Sequence, residues 1–153
     1  MSGIVCAIRG GASSQPTINQ AIRTAIETNL PIYFLYVLNL DFLKKGAQSR
    51  TQTISEEMRE LGEFILLAAQ AQAKRQGVTA EGVIREGHVV GDEIIGLCHE
   101  LTADYVILGR PLAAKAENVF THEQLDQFGR HIEKEAGATV IYPVEDGNES
   151  IAS

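Results

Sequence analysis

Basic side chains are in short supply in this chain: thirteen lysines and arginines stand against twenty aspartates and glutamates, a formal net charge of -7 over 153 residues. A surface of that sign repels nucleic acid and acidic membranes, so neither is an expected partner and only local basic spots remain. Cysteine is scarcer. Cys6 lies in an apolar run and Cys98 in a helical pattern, with no CxxC spacing, which predicts two reduced buried thiols instead of a metal or redox pair and suits the cytoplasm. Long hydrophobic runs are missing too. The longest, Ile32 to Leu38, falls far short of the roughly twenty residues that span a bilayer, and no charged and apolar leader is read at the amino end, so a soluble cytoplasmic protein is expected. The four histidines, His88, His99, His122 and His131, show no pair at ligand spacing on one helix face, which speaks against a metal site. No nucleophile stands with an adjacent base and orienting acid, and no carboxylate pair is evident. The expectation is a protein that is not an enzyme.

What is present is an alternation of short apolar runs with longer helical patterns, the signature of βαβ units and a parallel sheet in one domain over residues 1–144. Five strands are predicted. Ile4 to Ile8 is the first; Pro16 then sits in the first turn of a helix whose Ile18, Ile22, Ala25 and Ile26 repeat at helical spacing and which ends near Asn29. Ile32 to Leu38 is apolar at every position, as a central strand covered on both faces would be. After a polar excursion, Thr53 and Glu56 have capping-box spacing at the start of the longest helix, with Met58, Leu61, Ile65 and Ala68 as its apolar face and Gly77 as its stop. Val78 to Glu86 alternates as a half-exposed edge strand does. A short helix capped by Asp92 follows, with Ile94, Ile95, Cys98 and Leu101 as its buried face. Asp104 to Gly109 is the fourth strand, an irregular stretch runs to Phe120, and Thr121 with Gln124 caps a last helix reaching about Ala136. Ala138 to Pro143 is the fifth strand, and the polar residues 145–153 read as a flexible tail.

The small-residue turn Gly10-Gly11 after the first strand, the Leu35-Tyr36-Val37 ending of the second, Gly87 before a helix and the block Leu101 to Gly109 occur in the order and at the distances seen in one family. Over nearly its whole length the chain resembles a universal stress protein. That resemblance implies an adenine nucleotide alpha hydrolase-like α/β fold: an open five-stranded parallel sheet, order 3-2-1-4-5, with helices on both faces. It also implies a homodimer formed through the fifth strand, where Val140 and Ile141 are apolar enough to pair across a two-fold axis.

Members of the family that bind ATP place a second glycine three residues after the glycine ending strand four, then a glycine and a serine or threonine ten residues later. Here Gly109 is followed at those positions by Leu112, His122 and Glu123, so the cradle for phosphates is broken. Gly129 lies inside the last helix and reads as a packing position. A second departure stands at the end of strand one, where the family usually has aspartate and this chain has Arg9. The fold makes strands one and four neighbours, so Arg9 and Arg110 would border one crevice, with Ser13 and Ser14 at the start of the first helix. Candidate ligand-binding residues are Ile8, Arg9, Gly10, Ser13, Val37, Leu108, Gly109 and Arg110, Val37 matching the position where ATP-binding relatives contact adenine. Two readings stay open: the arginines fork an anion, such as an adenine nucleotide or phosphate, or they pair with acidic side chains and fill the space. The run Arg9 to Ser14 is also faintly similar to the Ser-Gly-Gly-x-Asp-Ser loop of ATP pyrophosphatases, but lacks its leading serine and its aspartate. The resemblance therefore implies a non-catalytic regulatory or chaperone-like module with weak, altered or absent ATP binding and an unknown protein partner. The alternative is a sensor of adenine nucleotides (AMP, ADP, ATP or cyclic AMP) or of another small anion at the crevice. No cofactor is fixed by this reading; an adenine nucleotide or phosphate is the candidate.

Overall fold

A computed structural model describes residues 2–10, 14–39, 48–109 and 122–143, by backbone alone at 48–52 and 122–125. The chain alternates β1 (Ile4–Ala7), α1 (Gln15–Thr28), β2 (Ile32–Leu38), α2 (Gln48–Arg75), β3 (Ala80–Glu86), α3 (Val90–Leu101), β4 (Tyr105–Ile107), α4 (His122–Ala136) and β5 (Thr139–Ile141). The five strands form one parallel sheet in the order β3-β2-β1-β4-β5, as the resemblance implied. The stretch to Phe120 and the tail 145–153 lie outside the described residues, as do Ser13, Arg110 and Thr121.

The sheet is sandwiched. Ile4, Cys6, Ile32 and Phe34 point to the side covered by α1 and α2, where Ile18, Ala21, Ile22, Leu66, Ala69 and Ala73 meet them. Val5, Leu35 and Val106 point to the other side, against Ile94, Leu97 and Cys98 of α3 and Ile132 of α4. The every-residue apolar run of β2 follows from this, since both faces of a central strand are inside; burying each such large side chain stabilises by about 1.5–3 kcal/mol. Chain reversal at the sheet's amino edge uses left-handed residues where helices stop, Asn29 (φ 60), Gly77 (φ 78) and Thr102 (φ 54).

The structure corrects the sequence expectations at particular places. Thr53 is not a cap: α2 begins at Gln48, because no glycine or proline in 48–52 stops the helix from extending upstream of the capping-box pair. Asp92 lies in the first turn of α3, whose cap position is Val89 with no side-chain hydrogen bond; there its charge complements the helix dipole. Ile26 of α1 is 58% exposed, the inner stripe being completed by Ala21. On α2 the buried face is Gly62, Leu66, Ala69 and Ala73, so Leu61 and Ala68 point outward. Small residues won that face because the helix lies close to the sheet: a Cβ on Gly62 would stand 2.6 Å from the Tyr36 ring. β5 is shorter than Ala138 to Pro143, with both of those residues buried at its ends.

Candidate functional site

The carboxyl ends of β1 and β4 lie side by side, Cys6 opposite Ile107 in register, so the chain leaving each strand borders the crevice where open α/β sheets receive ligands. Ile8 and Leu108, both 4% exposed, are core residues, and their amides donate to Leu35 and Ile141 carbonyls on neighbouring strands. Val37, near the end of β2, is half-buried against the α3 side of the core.

Beyond the strands, a side chain of the α1 entry bonds to the backbone of the turn after β1. Gly10 has φ +92, a conformation open to glycine, and a Cβ there would also meet Ile65 of α2 at 2.5 Å. The buried Ser14 hydroxyl accepts from the amides of Arg9 (3.2 Å) and Gly10 (2.9 Å) and donates to the Gly10 carbonyl (3.2 Å). It makes no capping bond to α1, so it serves the loop and not the helix. The strand-ending glycine is constrained in a similar way. A Cβ on Gly109 would stand 2.8 Å from Oγ1 of Thr17, a buried residue of α1 whose carbonyl also lies 3.8 Å from the Cys6 thiol. Gly109 is thus small because α1 crosses against it.

The arginine end of the crevice is different. Arg9 is exposed and pairs with no carboxylate among the described residues. The ion pairs that are present lie elsewhere, Arg59 with Glu86 and Arg85 with Glu100 at 2.6 Å. The latter raises the Arg85 pKa and lowers that of Glu100, first through the hydrogen bond between them. Ser14, Thr17 and Ile65 are the residues sequence reasoning undervalued. A hydroxyl on the inward face of a helix that starts beside a strand end was the available signal for Thr17.

Among the described residues no group of three or more histidine, cysteine, aspartate or glutamate side chains could hold a metal ion, and no helix is long and apolar enough to cross a membrane. Burial pushes both thiols up, that of Cys98 to about 11, which leaves them protonated and unreactive near neutrality. Gly129 makes room for the Tyr142 hydroxyl, in keeping with a packing role.

Known proteins place this arrangement. The model of the universal stress protein family matches residues 1–134. No curated protein sequence matches significantly. Similar solved structures include a universal stress family protein from Burkholderia pseudomallei, 22% identical, with a TM-score of 0.70 over 92% of this chain and 95% of that one. Another is the Archaeoglobus fulgidus universal stress protein in complex with dAMP, 16% identical, TM-score 0.60, covering 94% and 98%. A third, from Arabidopsis thaliana with AMP bound, is 14% identical, TM-score 0.61, covering 97% and 95%. At these identities the structures speak for the fold, while the family model reaches across most of the sequence, and this chain belongs to the universal stress protein family.

Proposed function

We propose that this protein is a non-catalytic regulatory member of its family that works through protein association and does not hold ATP by a glycine cradle. The observation that carries this reading is the Ser14 hydroxyl seated on the Arg9 and Gly10 amides, with Thr17 against Gly109: donors and space that a polyphosphate needs are used by the fold. The sequence agrees, since Leu112, His122 and Glu123 stand where the cradle's later residues would be. Homodimerisation through β5, at one edge of the sheet, remains part of this proposal.

A second reading is favoured by one observation. Arg9, two residues past β1, is exposed and without an ion-pair partner among the described residues, and relatives of this fold were solved with dAMP and AMP. A monophosphate asks less of the backbone than a triphosphate and suits a guanidinium fork. Thermal unfolding with ATP, ADP, AMP, cyclic AMP and phosphate separates the two. The first reading expects no ATP shift, whereas a ligand at a hundred times its dissociation constant adds about 2.7 kcal/mol. Stabilisation by AMP or phosphate that disappears when Arg9→Ala and Arg110→Ala are combined establishes the second reading, and stabilisation by ATP refutes the first.

A further inference from the structure

The outer face of α2 carries an apolar stripe that no other described residue covers. Leu61, Phe64 and Leu67 are 54%, 69% and 64% exposed, and the neighbouring Ala68 and Ala71 are exposed as well. Single exposed apolar residues are ordinary, but a contiguous stripe on one helix is not. Its composition has a further property. Reading outward from the level of residue 66, Phe64 and Leu61 lie in one direction and Ala68 and Ala71 at the same steps in the other. Farther out in the two directions, beyond the flanking Glu60 and Gln72, the residues at the centre of that face are Glu57 and Arg75, both exposed. They are eighteen residues apart, which at 3.6 residues per turn is about five whole turns, so they lie on the same side of the helix.

We propose that a second copy of this chain packs on this face, with the two α2 helices antiparallel across a two-fold axis at the level of residue 66. That operation sets Phe64 of each copy on Ala68 of the other and Leu61 on Ala71, large against small, as close helix packing at about 8–10 Å requires. It also sets Glu57 of each copy against Arg75 of the other, giving two ion pairs from one contact. A parallel arrangement would instead place Phe64 on Phe64 and Glu57 on Glu57, opposing bulk and like charge. The receiving end is prepared. Arg75 and Arg23 line an open groove of about 360 Å³ between α1 and α2, beside the exposed Ile26, and neither has an ion-pair partner among the described residues of an acidic chain. A carboxylate from the other copy supplies the missing charge at its mouth. The surface is separate from β5, because α2 covers β2 and β3 at the far side of the sheet.

Sedimentation equilibrium of the full chain tests this. The native protein is expected to associate, and Phe64→Glu to halve its mass while circular dichroism stays native, since that side chain is outside the core. Glu57→Arg and Arg75→Glu are each expected to weaken association by roughly tenfold, and the two combined to restore it, because the swap rebuilds both pairs. A monomeric native chain, an unchanged mass in Phe64→Glu, or a combined swap no tighter than either single change overturns the proposal. An unrelated protein as the occupant would give the first of these results.

Discussion

The outer strand β5 and the outer face of α2 are two surfaces that a second copy of this chain could use, and the molecule treats them differently. On β5 the outward amide of Val140 donates to Oε2 of Glu133 on α4 at 3.0 Å, so the strand edge is guarded by a side chain of the same molecule. On α2, among the described residues, nothing of the kind stands over Leu61, Phe64 and Leu67. The contrast follows from the groups involved. An unpaired backbone amide at an edge invites any passing strand and is satisfied at little cost by a nearby carboxylate. An apolar stripe cannot be satisfied by anything polar; its exposure is relieved only by another apolar surface. A guarded edge is therefore weak evidence for association and a bare stripe strong evidence.

The largest expected effect tests whether the two sides of α2 differ as described. Leu66→Ala should lower the unfolding free energy by about 2–5 kcal/mol, because the side chain is 4% exposed and a cavity remains. Leu61→Ala, one helix face away, should change it by no more than about 0.5 kcal/mol in the dissociated chain, acting on association instead. Urea unfolding at low protein concentration measures both. Equal costs would mean that the outer stripe is covered within one chain, and the contrast with β5 would fall.

A smaller effect is expected at the crevice, where α1 crosses close against Gly109. Gly109→Ala should cost about 1–3 kcal/mol by forcing a methyl against Thr17 Oγ1, and Thr17→Ala should remove most of that cost by deleting the obstructing oxygen. A double-mutant cycle by urea unfolding reads the coupling. Additive costs would show that Gly109 answers to something other than α1, and the crevice would regain its claim on a phosphate.

These particulars also show what the sequence disclosed. The burial of β2 on both faces was legible, because an unbroken apolar run between helical patterns fits a covered central strand and little else, whereas the strand order came from the family resemblance. The inward face of α2 was not. Met58, Leu61, Ile65 and Ala68 form as good an apolar stripe as Gly62, Leu66, Ala69 and Ala73, and only the close approach to Tyr36 decides for the small residues. A helix apolar on two sides signals by itself that one of them faces something else. At the crevice, the missing glycines were readable as letters. The return of the Ser14 hydroxyl to the Arg9 and Gly10 amides was not, since it depends on a turn whose left-handed Gly10 fixes the geometry.

The smallest effect bears most directly on the opening contrast. Glu133→Ala removes the acceptor of the Val140 amide; because the edge is solvated and water replaces the carboxylate, the stability cost should lie near about 0.5 kcal/mol, at the low end for a hydrogen bond. Its effect on association should be larger than its effect on stability. With the guard gone, the β5 edge pairs more readily with another copy, so sedimentation should show tighter association that Val140→Lys with Ile141→Lys abolishes and Phe64→Glu does not. If Glu133→Ala instead weakens association, the carboxylate is itself part of the β5 interface. If association is unchanged, Glu133 guards an edge that has no partner, and α2 stands as the surface through which the chain meets its copy.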